Sequence, residues 1–267
     1  FDAWTSKHKK AAELLHRLER REMPTDLADA LPSFDAGLGD CMFMIWRQTG
    51  VKLLSGDGRP QLNSSAFREF VDRWLIWRES GAFGPWDWGG FADDLRNGII
   101  AAYPAPDWWV SQVDSAVGEE KYRFLFRPLP VYRKGGPRVS DWGGTFLALP
   151  RNARDPAFLY AVMEALQYDR EGMIRRFTAD TQIPAWQAIW SDPVFHTPDA
   201  RFEGQSLAEL QTELAAELPP VVSGFHLWDI FADFNDAYER ICAGEVDVNR
   251  GLEEAQSKAL ERYTLGL

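Results

Sequence analysis

The chain has 267 residues, of which 45% are hydrophobic and 26% charged, and this composition is typical of a globular protein with one large domain or two lobes. Its formal net charge of −11 disfavours nucleic acid and anionic membrane surfaces as partners, because both repel a negatively charged protein. No apolar run approaches the roughly 18 residues that a membrane-spanning helix requires.

Helical periodicity dominates the first third of the chain. Apolar residues recur at intervals of three and four within residues 2–21, which predicts an amphipathic helix. The run CMFMIWRQTG predicts a helix that ends at Gly50, and LLSGDGRPQLNSSA predicts a strand, a tight turn and a returning strand. A third amphipathic pattern predicts a helix that ends before Gly81, with Asn63 or Ser64 as its N-cap.

Short strands alternate with helices in the remaining sequence. FADDLRNG predicts a short helix closed by Gly98, and IIAAYPA predicts a buried strand. YRFLFRPLPVY and GTFLALP predict two more strands, and two helical patterns then meet near Asp169. Further helices are predicted at 209–218, 227–243 and 252–263. This alternation indicates an α/β fold.

The sequence contains few motifs that would indicate a metal site, a cofactor or an enzyme. Cys41 and Cys242 belong to no zinc-ligand spacing, and two separately buried thiols are favoured over a disulfide, which stays open. The histidines show no metal spacing beyond His8 and His16, which lie on a basic helix predicted to be exposed. GxSxG, HExxH and P-loop motifs are absent, so no cofactor is predicted. Carboxylates next to tryptophans leave a glycosidase as an alternative function, because glycosidases act through a pair of carboxyl groups.

Twelve tryptophans are the main peculiarity of the composition. Trp4, Trp74 and Trp77 lie at helical spacing on apolar faces, which predicts core positions. A second group lies beside Gly, Pro and Asp in loops or at strand ends, where no apolar face requires it. Indole rings stack on pyranose rings and carboxylates accept hydrogen bonds from sugar hydroxyls, so this group indicates a sugar site, with core filling as the alternative for each ring. Its members are Trp86, Trp88, Trp108, Trp109 and Trp142.

Several segments, in the right order, resemble the extracellular solute-binding proteins of carbohydrate ABC importers, the family of maltose-binding protein. They are AWTSKHKKAAELL, LLSGDGRPQLNSSAFREFVDRW, FADDLRNGIIAAYPAPDWWVS, SDWGGTFLALPRNARDPAFLYAVMEAL, IPAWQAIWSDPVF and GLEEAQSKALERY. The similarity extends over almost the whole chain, and the order of the segments carries more weight than any one of them.

The resemblance implies a periplasmic-binding-protein-like two-lobed α/β fold. Residues 1–146 would form the second lobe, 147–196 a segment that returns to the first lobe through the hinge, and 197–267 C-terminal helices that pack back on the second lobe. The start of the first lobe has no counterpart in this sequence. The chain opens without Met and without a signal-peptide h-region, and is expected to be a processed or truncated product.

By resemblance, the protein would bind a sugar or oligosaccharide in an inter-lobe cleft by aromatic stacking and polar contacts. It would close around the solute and deliver it to ABC permease subunits, as a monomeric periplasmic or extracellular protein without catalytic activity. Two alternatives remain: a carbohydrate-active enzyme with a tryptophan-lined cleft, and a binding protein for a non-sugar solute such as a polyol or peptide.

The same resemblance suggests where the solute binds. It implies a stacking ring at Trp108 or Trp109, another at Trp88, and His226 at the place of a sugar-stacking tryptophan. The alternative for His226 is a helix cap with Trp228 packed below.

In DWGGTF, Gly143 and Gly144 permit close approach of the backbone to a ligand or form a bulge in a strand. The complete set of predicted ligand-binding residues is Asp40, Trp86, Asp87, Trp88, Trp108, Trp109, Asp141, Trp142, Gly143, Gly144, Phe225 and His226.

Overall fold

The computed structural model describes residues 31–32, 40–79, 90–117, 124–144, 147–220 and 227–265. Contacts divide the chain into two compact units. Unit 1 comprises Phe1–Pro104, Val131–Ser140 and Pro219–Leu267, and unit 2 comprises Ala105–Pro130 and Asp141–Leu218. These boundaries differ from the predicted ones at 146 and 196, and the assignment of segments to lobes of a two-lobed protein stays a prediction.

The described elements are mainly helical. In chain order they are β1 (Leu31–Pro32), α1 (Asp40–Thr49), α2 (Ser65–Glu79), α3 (Phe91–Arg96), β2 (Ile100–Ala102), α4 (Trp109–Val117), α5 (Pro156–Tyr168), α6 (Arg170–Asp180), three short 3₁₀ turns (Gln187–Ile189, Pro193–His196 and Ala200–Phe202), α7 (Leu207–Ala215), α8 (Leu227–Cys242) and α9 (Val248–Leu265). Among these described helices, none combines the length and apolar character that crossing a bilayer requires.

Several helices begin and end at the residues that the sequence analysis predicts as caps and terminators. Helix α1 is followed by Gly50 with a φ of 69°, and α3 by Gly98 with a φ of 66°, a backbone region that glycine enters without steric cost. The Ser64 hydroxyl accepts a hydrogen bond from the Phe67 amide at 3.3 Å and caps α2. Asp169 separates α5 from α6 and caps the latter. The predicted helix at residues 2–21 lies outside the described residues.

Strand content is lower than the sequence predicts. Strand β2 confirms the prediction for IIAAYPA and pairs with β1 in parallel. The predicted strand, turn and return at 53–64 contain a single antiparallel bridge, between Leu54 and Pro60. The described parts of the two later predicted strands, 124–132 and 147–150, are irregular, so both predictions are wrong there. The described part of the chain therefore contains both helices and a parallel sheet, as an α/β fold requires, but it is largely helical and its sheet has two short strands.

Proline and a glutamine side chain explain the irregular course of residues 124–132. Pro128 and Pro130 lack the N–H that a central strand donates. The Phe126 amide instead donates to Gln205 Oε1 at 2.9 Å, and Gln205 Nε2 donates to the Phe126 carbonyl at 3.2 Å. One side chain thus satisfies the backbone pair that a neighbouring strand would have satisfied.

Aromatic side chains on α2 and α8 form the core of unit 1. The rings of Phe67 and Phe234 meet edge to face at 4.8 Å, and Trp74 Nε1 donates to the Tyr238 hydroxyl at 3.1 Å. Burial raises the pKa of Tyr238. Trp74 is fully buried and Trp77 half-buried, which confirms the predicted core position of Trp74.

The described residues of unit 2 include two small hydrophobic clusters. One joins Met173 of α6 to Ile189, Phe195 and Ala208, and the other joins Val110 of α4 to Phe202 and Leu207. The second cluster anchors the start of α4, where the candidate tryptophans lie.

The two cysteines are not joined by a disulfide. Cys41 is buried and Cys242 half-buried, and burial raises the pKa of the Cys242 thiol. The structure therefore agrees with two separate thiols, one of them deeply buried.

A buried glutamine of α9 fixes the loop between α1 and α2. Gln256 Oε1 accepts from the Leu62 amide at 2.6 Å, and its Nε2 donates to the Pro60 carbonyl at 2.9 Å. Both groups are buried, so removal of the side chain leaves a backbone donor and an acceptor without partners.

We expect Gln256→Ala to lower the free energy of unfolding by about 1–3 kcal/mol, because two buried backbone groups lose their hydrogen bonds. Urea denaturation of the parent and the variant measures the change. Ser257→Ala, at the exposed neighbouring position, is the control and is expected to change stability by less than about 0.5 kcal/mol. Equal effects of the two substitutions would contradict this role of Gln256.

Candidate functional site

A tight turn places two consecutive tryptophans at the start of α4. The Trp109 amide donates to the Pro106 carbonyl at 3.1 Å, and the Val110 amide donates to the Asp107 carbonyl at 3.2 Å. Helical geometry then turns successive side chains apart. Trp109 is directed into the protein and is only 5% exposed, whereas Trp108 stays half-buried.

Trp108 and Trp142 form a pair of indole rings in unit 2. Their ring centroids lie 5.4 Å apart at an interplanar angle of 35°, and Trp109 contacts Trp108 edge to face at 5.2 Å. Both Trp108 and Trp142 are half-buried, so part of each ring is open to solvent. Of the predicted alternatives, Trp108 therefore offers the accessible surface and Trp109 supports it from below.

The Asp107 carboxylate holds the start of α4 against the segment after α6. One carboxylate oxygen accepts from the Trp108 amide at 2.9 Å, and the other accepts from the Ile183 amide at 3.1 Å. Two residues before Ile183, Thr181 has a φ of 59°, which is an unfavourable conformation for a β-branched residue. Thr181 is the C-cap of α6, and a residue in this left-handed region commonly ends a helix. The hydrogen bond to Ile183 helps to hold the backbone that follows in place.

Glycines follow Trp142 on the surface of unit 2. Asp141 is half-buried, and Gly143 and Gly144 are exposed in an irregular segment. Gly143 has a φ of 83°, which disfavours any other residue. A Cβ built on Gly144 meets nothing within 4 Å. The described part of DWGGTF, residues 141–144, is thus an open loop with accessible backbone and not a glycine bulge in a strand.

The other predicted site residues are not part of this surface as described. Asp40 is the first residue of α1 in unit 1. Trp86, Asp87, Trp88, Phe225 and His226 lie outside the described residues. In the part of the chain that the structure does describe, no three His, Cys, Asp or Glu side chains cluster as metal ligands would.

Trp228 in unit 1 is an exposed aromatic residue that the sequence analysis missed. It is 61% exposed and stacks on Phe43 at 5.0 Å with an interplanar angle of 16°. The sequence alternative placed Trp228 below the helix. The apolar stripe of α8 identifies its true position, because Leu227, Ile230, Phe231 and Phe234 follow the spacing of a buried face and Trp228 does not.

Comparisons with solved structures identify the fold. No protein-family model and no curated protein sequence matches the chain. A structure described as an extracellular solute-binding protein family 1 matches at a TM-score of 0.64 and 16% identity, over 86% of this chain and 59% of its own.

The sugar-binding protein MalE from Xanthomonas citri matches at a TM-score of 0.68 and 14% sequence identity. This match covers 95% of the present chain and 68% of MalE. The maltose/maltodextrin-binding domain MalE from Bdellovibrio bacteriovorus, bound to maltotriose, matches at a TM-score of 0.62 and 17% sequence identity. This match covers 88% of the present chain and 60% of the MalE domain. The chain thus has the fold of extracellular solute-binding proteins and spans 59% and 68% of the first two relatives.

Removal of one acceptor from Asp107 should destabilise unit 2. In Asp107→Asn the amide nitrogen cannot accept, so either the Trp108 or the Ile183 amide loses its bond, and we expect a loss of about 1–3 kcal/mol in the free energy of unfolding. Urea denaturation gives the value. Asp180→Asn, on the exposed end of α6, makes the same charge change and is expected to be neutral. If Asp180→Asn is as destabilising as Asp107→Asn, loss of charge and not loss of these bonds is responsible.

Proposed function

We propose that the protein is the sugar-binding component of an ABC importer. The observation that carries this proposal is the half-exposed Trp108–Trp142 pair, which adjoins a half-buried carboxylate and an open glycine loop in unit 2. The fold supports it, because structures with this fold include sugar-binding proteins, among them one bound to maltotriose.

The surface has the chemistry that a pyranose needs. The apolar face of the sugar stacks on the open side of the two indole rings, and the hydroxyls at the ring edge donate to the Asp141 carboxylate. Without a Cβ, Gly144 leaves its backbone N–H and C=O accessible to further hydroxyls. Binding would then combine apolar area with a few directed hydrogen bonds, which is typical of small-molecule sites.

Delivery of the solute to a membrane permease is the second part of the proposal. In the whole protein, two lobes would close around the sugar, and the permease would recognise the closed form. The protein would act in the periplasm or outside the cell as a monomer. Asp40, Trp86, Asp87, Trp88, Phe225 and His226 remain proposed contributors to sugar binding by the resemblance.

Loss of either indole ring should weaken sugar binding. We expect Trp108→Ala and Trp142→Ala each to cost about 1–3 kcal/mol, a factor of about 5 to 150 in Kd, because each removes stacking surface. Isothermal titration with maltose, maltotriose and tagatose measures Kd, and an assay for released sugar runs in parallel.

Trp186→Ala is the matched control for these variants. Trp186 lies in the same unit, is 37% exposed and contacts Tyr168 instead of the indole pair. Its replacement is expected to leave Kd unchanged. Release of product by the parent would favour the enzyme alternative, and binding of none of the sugars by the parent would contradict the proposal.

Gly144→Val tests close approach of the sugar to the backbone. A Cβ at this position meets no heavy atom within 4 Å, so the thermal midpoint is expected to stay within about 1 °C of the parent. If the sugar lies against this backbone, the same side chain occupies its place and Kd rises by a factor of about 10 or more. Unchanged affinity in the folded variant would place the sugar elsewhere. Gly143 is unsuitable for this test because its positive φ makes any substitution strained.

A further inference from the structure

Two carboxylates adjoin the indole pair in sequence. Asp107 precedes Trp108 and Asp141 precedes Trp142, and both aspartates are half-buried. By sequence the two are equivalent, because each is a carboxylate beside a tryptophan and is able to accept a hydrogen bond from a sugar hydroxyl. Their hydrogen bonds give Asp107 a different task.

The Asp107 carboxylate is directed at backbone amides of the protein. Its Oδ1 accepts from the Trp108 amide at 2.9 Å, and its Oδ2 accepts from the Ile183 amide at 3.1 Å. The backbone carbonyl of Asp107 accepts from the Val110 amide at 3.2 Å. Asp107 thus joins two separate segments of unit 2, the turn at the start of α4 and the stretch that follows α6. Such an arrangement suits an anchor better than a residue that recognises solute.

The backbone of Trp108 is fixed at both of its polar groups. Its N–H donates to Asp107, and its carbonyl accepts from the Ser111 hydroxyl at 3.1 Å. A fixed backbone fixes the direction of the Cα–Cβ bond, and the staggered rotamers then leave few positions for the ring. The Trp109 ring meets Trp108 edge to face at 5.2 Å, and the Trp142 ring lies 5.4 Å away at 35°. The angle between the two stacking rings therefore depends on the turn that Asp107 holds.

We propose that Asp107 is a positioning residue for the indole pair: it ties the turn that carries Trp108 to the Ile183 backbone and thereby sets the orientation of Trp108 relative to Trp142. This inference rests on the proposed function, in which the pair is the stacking surface for a sugar. Side chains that bind a ligand need supporting hydrogen bonds to keep them in the productive geometry. Asp107 supplies that support and acts on the sugar only through Trp108.

Circular dichroism tests the orientation without any ligand. Two indole rings at this distance couple electronically, and the dichroism of the coupled pair changes with the angle between them. The difference between the parent and Trp142→Phe isolates the signal of the pair. Asp107→Ala removes both acceptors, and this signal is expected to fall to about half or less. Asp107→Asn keeps one acceptor and is expected to give an intermediate signal.

Asp180→Asn is the matched control, because Asp180 is exposed at the end of α6 and the substitution makes the same charge change. Its signal is expected to equal that of the parent. A parental signal in folded Asp107→Ala would overturn the inference. If Asp107→Ala does not fold, Asp107→Asn decides, and a parental signal in that variant would overturn the inference as well.

A double-mutant cycle distinguishes positioning from direct contact with the sugar. Isothermal titration uses whichever of maltose, maltotriose and tagatose the parent binds most tightly. In the parent, Asp107→Asn is expected to raise Kd by a factor of about 3 to 10. In Trp108→Ala, the same substitution is expected to change Kd by less than about 2-fold, because no ring is left to position.

An equal factor in both backgrounds would give Asp107 an effect that is independent of Trp108 and would overturn the inference. A parent that binds none of the sugars contradicts the proposed function instead. In that case the circular dichroism, which involves no sugar, still decides whether Asp107 orients the pair. The two proposals therefore fail by different measurements.

Discussion

Burial of aromatic rings is the constraint on which both units depend. In unit 1 the rings of α2 and α8 interlock, and Trp74 satisfies its N–H through the Tyr238 hydroxyl while its ring is fully buried. In unit 2 the buried Trp109 supports Trp108 edge to face. An indole that is half-buried beside such a support keeps a fixed orientation and an open face, which are the properties that a stacking site requires.

Side chains replace strands as partners of the irregular backbone. The Gln256 amide binds the Pro60 carbonyl and the Leu62 amide, and Gln205 binds both polar groups of Phe126. The Asp107 carboxylate binds two amides from different segments in the same manner. Because every buried backbone group needs a partner, these side chains allow loops with proline and glycine to remain ordered without a sheet. The accessible loop at residues 141–144 belongs to a unit that is built in this way.

Most of the described helices could be predicted from the sequence because their signals are local, whereas the helix Trp109–Val117 was not predicted. Periodicity, an N-capping serine at Ser64 and glycines with positive φ are sufficient to define α1, α2 and α3. Strands depend on partners distant in sequence, and the alternation in YRFLFRPLPVY did not reveal that Gln205 takes the place of a neighbouring strand. The candidate site was predictable as a set of residue types. The orientations were not, since only packing decides that Trp109 is buried and Trp108 half-exposed.

Two kinds of exposed apolar surface in unit 2 differ in the chemistry of their surroundings. Around Trp108 and Trp142 the apolar area is small, planar and next to a carboxylate and open backbone, and such a mixture matches the apolar face and polar rim of a sugar. Around α5 the area is broad and curved, and only Glu164 on the helix is charged. A sugar would find few hydrogen-bonding partners on α5, and its hydroxyls would lose water without compensation. A polypeptide surface loses little there, because apolar side chains from both sides exclude water together. Apolar surface beside polar groups and apolar surface without them are thus both present in unit 2, and they favour different kinds of partner.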